Sequence, residues 1–323
     1  MIPLSRIRGR QEEPAPKAVD ALDSSVESRR PPLPHLLFAV LIGVIFLPGR
    51  RAAAPPWLFL LALALIQAFY LVCRRRGNSR AAGDITVLLY GFFLLWEVMS
   101  AKLGLTHRIL VPLPENVFFA FYRHGALMLK GIGSSLSLLA AGFGVGLPLS
   151  LFLGVTAGLI PRLQQLIFPI AKVLAPIPPI IYAPYLIALA PGFRWAAAMV
   201  LVIGIFLPNL MTTINRVSAM DKTILNAARA LNVRGGAMMF HVVLPYLLPG
   251  VIGGLRVTLS TSFMLLMLAE MMGATSGLGY FVRNFADFAN YTNVAAGIIL
   301  IGIVITALNQ LVTLAEGKLI RWL

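Results

Sequence analysis

A chain of 323 residues that is 59% hydrophobic and only 12% charged lacks the polar surface to cover a water-exposed globule, since soluble domains carry roughly 25% charged residues; it falls in the membrane class. Its net charge of +15 would point a soluble protein toward nucleic acid. Here the basic residues cluster at the ends of apolar runs, where they fix orientation in a bilayer, so lipid and no nucleic acid is the expected surrounding. The single cysteine, Cys73, excludes an internal disulfide and a cysteine-based metal cluster.

Residues 1–32 mix Arg6, Arg8, Arg10, Lys17, Arg29 and Arg30 with Pro, Glu, Asp and Ser and carry no secretory-signal pattern. Such a stretch buries too little apolar surface to order itself, which predicts a disordered cytoplasmic tail. A spanning helix needs ~20 mostly apolar residues. Eight runs qualify as candidates: 33–48, 57–73, 85–99 (extending to about 104), 136–160, 163–190, 195–214, 244–272 and 294–314. The first is short and closed by Pro48-Gly49-Arg50-Arg51; it either crosses fully or tilts or re-enters with local thinning of the bilayer. Residues 106–129 are amphipathic, with Phe118, Phe119, Phe121 and Tyr122 interleaved with Asn116, Arg123 and His124, and predict a short helix along the outer interface. With the N-terminus inside, 18 Lys and Arg fall on cytoplasmic segments and 8 on outer ones, so both termini are expected in the cytoplasm. The fold class is therefore all-α and polytopic, with about eight transmembrane helices: a tail (1–32), a two-helix membrane extension (33–80) and a membrane core (81–323).

Enzymatic signatures are missing from the sequence. There is no G-x-x-x-x-G-K-[ST] phosphate loop, so this chain is not expected to hydrolyse ATP. There is no H-E-x-x-H and no G-x-S-x-G, and His35, His107, His124 and His241 are scattered. No catalytic, cofactor-binding or metal-ligating residue is expected. The glycines of 250–254 open a span, where close helix packing explains them.

The most informative segment is the longest cytoplasmic loop, 215–245. Its middle reads Asn226-Ala227-Ala228-Arg229-Ala230-Leu231-Asn232 and its end Leu244-Pro245. Two short helices with a turn near Asn232–Gly236 fit the pattern, because Asn and Gly tolerate the left-handed backbone of such a turn. The alanines make a low-relief helix face against which another protein can pack.

This loop resembles the EAA loop of ABC importer permeases. Ala227-Ala228, Leu231 and Leu244-Pro245 match at the family's spacing. Asn226 stands where the family has Glu, and Asn232 where it has Gly; Met239 occupies the family's aromatic position, with Phe240 beside it. Asn226 carries no charge for an ion pair, which leaves Arg216, Lys222, Arg229 or Arg234 as available charges. Flanking segments resemble the nitrate/taurine/aliphatic-sulfonate branch: Pro249-Gly250 with Gly254-Leu255-Arg256, Ala269-Glu270 with Gly273 and Ser276-Gly277-Leu278-Gly279-Tyr280, and Pro176-Ile177-Pro178-Pro179 with Pro184. Trp96-Glu97 matches a pair near the family's first core helix and is read as structural. The resemblance covers about 85–323.

It implies a type I importer fold with a six-helix core plus the N-terminal extension, in a bacterial inner membrane. A second permease copy would complete a homodimer on two cytoplasmic ATPase subunits, which would use the ATP and Mg. A periplasmic or lipid-anchored binding protein would deliver a small anion such as taurine, a sulfonate or nitrate. Asn226, Ala227, Ala228, Arg229, Leu231, Asn232, Leu244 and Pro245 become the expected ATPase-docking residues. For the path or gate the candidates are Lys172, Pro178, Pro179, Tyr182 and Glu270. Four prolines at 176–184 cannot share one regular helix, and broken helices at membrane depth sit beside protein or a cavity. Glu270, costing ~2.5–3.5 kcal/mol if left at mid-bilayer, either gates the path or caps the Ser276–Gly279 turn. Lys172 either faces the path or snorkels to the cytoplasmic surface. The competing reading is a secondary transporter without ATP, for which inverted repeats and an ion relay are the expected marks.

Overall fold

The computed structural model describes residues 33–76 and 79–319; the tail expected at 1–32 lies outside them. The chain divides into two compact units, one ending at residue 105 and the other holding 53–55 and the residues from 106 onward.

The first unit contains α1 (Leu33–Phe46), α2 (Trp57–Arg75) and α3 (Ser79–Glu97), the last running on as a π-turn over Val98–Lys102. Leu41, Phe59, Leu63 and Tyr90 are fully buried hydrophobic side chains of this unit. The Tyr90 hydroxyl donates toward Gln67 Oε1 (3.0 Å) and Leu63 O (3.2 Å), and Gln67 Nε2 pairs with His35 Nδ1 at 2.5 Å. With 14 residues, α1 rises only about 21 Å, short of the ~30 Å hydrocarbon core. Its end is finished from elsewhere: Lys102 Nζ donates to Ile45 O (3.2 Å) and Leu47 O (2.8 Å) and lies 3.1 Å from the fully buried Glu97 carboxylate. The Arg50 N–H donates to Ala101 O at 2.9 Å. These bonds tie α3 to α1 and α2 within the first compact unit, which ends at residue 105.

The second unit begins with the expected short amphipathic helix, α4 (Pro114–Arg123), opened by a proline at its first position, where the missing N–H costs nothing. Then come α5 (Gly125–Leu159), α6 (Pro161–Leu174), a 3-10 turn over Pro179–Tyr182 and α7 (Ala183–Leu189). α8 (Phe193–Ser218) is followed by α9 (Lys222–Ala230) and α10 (Gly235–Met238), with a π-turn over Met239–Val243. α11 (Leu244–Gly273), α12 (Leu278–Asp287) and α13 (Tyr291–Leu319) complete it. Six described helices are long and apolar enough to cross a membrane. The fifth apolar run of the sequence is broken, as its prolines require, into two pieces bent by 85°. Counting this pair and the short α1 reaches the eight segments expected.

α5 and α8 form the spine of this unit. Gly142, Gly146, Ser150, Gly154 and Gly158 recur at every fourth position, which keeps them on one face of α5. A Cβ at Gly142 would lie 2.9 Å from Leu201 Cβ, at Gly146 3.1 Å from Ile205 Cβ, at Gly154 2.6 Å from Thr213 Cβ and at Gly158 2.6 Å from Val217 Cβ. The two backbones approach as small-residue stripes allow in a bilayer, where association rests on packing and not on expelling water. Below this spine, Val155, Val217, Met220, Ala228, Met238, Val243 and Leu247 bury one another and join α9 and α10 to α5, α8 and α11.

Overpacking costs about 1–3 kcal/mol. Gly154→Val and Gly158→Leu should therefore lower the thermal unfolding midpoint in detergent, whereas Gly144→Ala, whose Cβ would meet nothing within 4 Å, should leave it unchanged or raise it. Equal midpoints for all three would show that the stripe does not set the packing.

Candidate functional site

A cavity of about 520 Å³ opens between α8, α11 and the turn at Pro178-Pro179-Ile180, within the ~300–1,000 Å³ range of small-molecule sites. The consecutive prolines forbid helix here, so the chain bends away and leaves space. Gly204 of α8 faces the bend; a Cβ there would lie 2.4 Å from Leu265 Cδ2 and 3.3 Å from Pro179 Cγ.

Polar side chains line the cavity from two helices. α8 contributes Asn209, Thr212, Thr213 and Arg216; α11 contributes Thr258, Thr261 and Ser262. Both sets follow helical spacing, forming one polar stripe on the cavity face of each helix. Most of their donors are already used within the helices. Asn209 Nδ2 donates to Ile205 O (2.7 Å), Thr212 Oγ1 to Pro208 O (2.9 Å), Thr213 Oγ1 to Asn209 O (2.7 Å) and Thr261 Oγ1 to Val257 O (3.0 Å). Arg216 is the charged residue of the lining, and it lies directly on Gly250, where a Cβ would fall 2.7 Å from its Nη1.

Of the path candidates read from sequence, Pro178 and Pro179 line this cavity. Lys172 is exposed in the last turn of α6, away from it. Tyr182 is half-buried in the 3-10 turn with its hydroxyl buried, outside the lining. Glu270 is 1% exposed and also outside it. Its carboxylate accepts from Ser135 Oγ at 2.7 Å and from the Gly279 N–H at 2.8 Å, while the Leu278 N–H donates to Ser135 Oγ at 2.9 Å. Ser134 and Ser276 hydroxyls pair at 2.8 Å alongside. One buried carboxylate thus caps the start of α12 and pins it to α5 and α11. The glycines of the Ser276–Tyr280 motif make room for it: Gly277 has φ +131°, and a Cβ there would lie 2.4 Å from the carboxylate carbon of Glu270.

On the loop side, Asp221 caps α9 by accepting the Thr223 N–H at 2.8 Å, a bond that holds its carboxyl below the usual range. At the other end the Val233 N–H donates to Ala228 O at 3.0 Å, closing the helix through Asn232 at φ 58°. The family's Gly position is therefore a left-handed one, and Asn fills it because its short polar side chain tolerates that region. Asn226, Ala227, Arg229 and Leu231 are exposed, Leu231 by 80%. Leu244 and Pro245 are half-buried at the start of α11. Ala228 is 8% exposed and turned inward onto Val155 and Val217. Its small side chain lets α9 lie close against this cluster.

Arg216 was read from sequence as one of the loop charges; its place at the end of the α8 polar stripe is what sets it in the cavity. Ser135 carried no sequence signal, because its partners lie 135 and 143 residues away.

Residues 146–322 match the family model described as binding-protein-dependent transport system inner membrane component. The chain is 30% identical over 258 residues to the putative aliphatic sulfonates transport permease protein SsuC of Bacillus subtilis, covering 78% of this chain and 92% of that protein. It is 25% identical to the taurine transport system permease protein TauC of Escherichia coli, over 76% of this chain and 90% of that one. With the bicarbonate transport system permease protein CmpB of Synechococcus elongatus it shares 28% identity, over 77% and 96%. A solved structure, described as inward facing conformations of the MetNI methionine ABC transporter, shares the fold with a TM-score of 0.50 and 22% identity, covering 62% of this chain and 97% of that one.

Ser135→Ala removes a donor to Glu270 and the acceptor of the Leu278 N–H, and should cost about 1–3 kcal/mol, read as a lower unfolding midpoint. Asn232→Gly should be silent in the same measurement, while Asn232→Val should cost about 1–2 kcal/mol for a branched residue held left-handed.

Proposed function

Because the chain belongs to the family of binding-protein-dependent transport system inner membrane components, we propose that it forms the path by which a small anion, such as a sulfonate, taurine, nitrate or bicarbonate, enters a bacterial cell. It is a multi-pass permease subunit of an ABC transporter and acts by transport. The observation that carries the anion path is the cavity between α8, α11 and the proline turn, with a cation at one end.

Permeases of this kind work with ATPase subunits and a substrate-binding protein. The finer assembly is part of the proposal: two copies of this chain, two cytoplasmic ATPases that bind ATP and Mg, and a periplasmic or lipid-anchored binding protein. In this reading both termini are cytoplasmic, and α9 enters a groove of the ATPase. Support comes from α9 itself. It ends in exposed Leu231, carries exposed Arg229 with Nη1 3.5 Å from Asn226 Oδ1, and is backed by buried Ala228. A motion of the ATPase would then pass through the shared core into α5, α8 and α11. The ATP-independent alternative has no supporting relative among those compared, each of which is named as a permease or an ABC transporter.

Affinity purification of the tagged chain in mild detergent, followed by mass measurement, is expected to recover an ATPase subunit in a 2:2 complex. Arg229→Glu together with Leu231→Asp should release the ATPase while leaving the unfolding midpoint of the permease in place. Retention of the ATPase by this variant would remove α9 from the docking role.

A further inference from the structure

We propose that Arg216 is the anion-binding residue of the path: its guanidinium, seated on Gly250, holds the sulfonate, carboxylate or comparable oxyanion head of the substrate at one end of the cavity. The inference rests on the reading of the cavity as an anion path.

An anion leaving water needs hydrogen-bond donors and positive charge in exchange. The cavity wall is poor in both. The hydroxyls of Thr212, Thr213 and Thr261 donate to carbonyls of their own helices, so they turn lone pairs, and not protons, toward any occupant. Among the described lining residues the remaining donors are the hydroxyls of Thr258 and Ser262, the second amide proton of Asn209, and the five N–H groups of Arg216. Only Arg216 brings charge. No carboxylate among the described residues pairs with it; the ion pairs of the second unit are Arg256–Glu316 and Arg283–Asp287. A planar guanidinium matches two oxygens of an oxyanion at once.

The position is built to keep that group in the cavity. Arg216 lies in the last turn of α8, where the helix dipole favours a cation. Gly250 lets the guanidinium lie flat on the α11 backbone, and Gly254 continues the same face, a Cβ there falling 4.0 Å from Nη2. Any side chain at 250 would push the guanidinium off this seat. The arrangement also sets the substrate class by exclusion, because an unpaired Arg repels organic cations from the same space.

The test uses the full transporter, permease with its ATPase and binding protein, in proteoliposomes containing ATP. Uptake of radiolabelled taurine, an alkanesulfonate, nitrate and bicarbonate is followed for wild type, Arg216→Gln, Arg216→Lys and Gly250→Ala. For the anion that wild type carries, Arg216→Gln should lose uptake by roughly tenfold or more with the ATPase still co-purifying. Arg216→Lys should retain an intermediate rate, and Gly250→Ala should raise KM more than it lowers kcat. Wild-type uptake by Arg216→Gln overturns the proposal. So does equal loss in the Gln and Lys variants together with loss of the ATPase, which would make Arg216 a purely structural residue. If wild type itself carries none of the four anions, the anion-path reading fails, a result separate from any difference between variants.

Discussion

In a bilayer two helices gain nothing by expelling lipid from between them, so what holds them must be close packing. The second unit rests on one such contact, the stripe of Gly142, Gly146, Ser150, Gly154 and Gly158 pressed against Leu201, Ile205, Thr213 and Val217. With α5 and α8 fixed side by side, α5 offers Ser135 to the Glu270 carboxylate at one end and Val155 to the α9 anchor Ala228 at the other. α8 meanwhile presents its polar stripe, Asn209 to Arg216, to the cavity, with Thr213 shared between the lining and the contact with α5. Cap, cavity and α9 are therefore parts of a single frame.

The apolar runs, the proline break and the two short helices of the 215–245 loop were legible in the sequence because each depends on local chemistry: length, ring constraint and turn preference. Asn232 belongs with them, since a left-handed position tolerates Asn wherever it occurs. What stayed hidden depends on partners far along the chain. The side on which α3 packs is set by Tyr90 reaching Leu63 and Gln67, and nothing near residue 80 announces it. Glu270 left two readings open in the sequence; its bonds to Ser135 and Gly279 are those of a cap. The glycine stripe was written in the sequence at every fourth position, but a run read only for hydrophobicity does not separate packing glycines from incidental ones.

On the proposed anion-path reading, the cavity divides its work between walls and charge. Helix hydroxyls that satisfy their own carbonyls make a wall that is wettable yet indifferent to the occupant. A single cation then decides the sign of what passes, and the remaining shape is left to Gly, Pro and aliphatic side chains that substitute easily. In the proposed assembly coupling would be housed elsewhere, in α9, whose inner face is Ala228 and whose outer face is Arg229 and Leu231.

The lysine cap on the first helix comes from far along the chain. α1 is too short to cross the bilayer unaided, and its last carbonyls, like those of any helix, need donors. The donor for Leu47 O is Lys102, 55 residues further on. The Leu47 carbonyl therefore finds this partner only beyond α2 and α3 in the chain. The end of the first segment is thus completed by residues that follow the third, where Lys102 is also paired with Glu97.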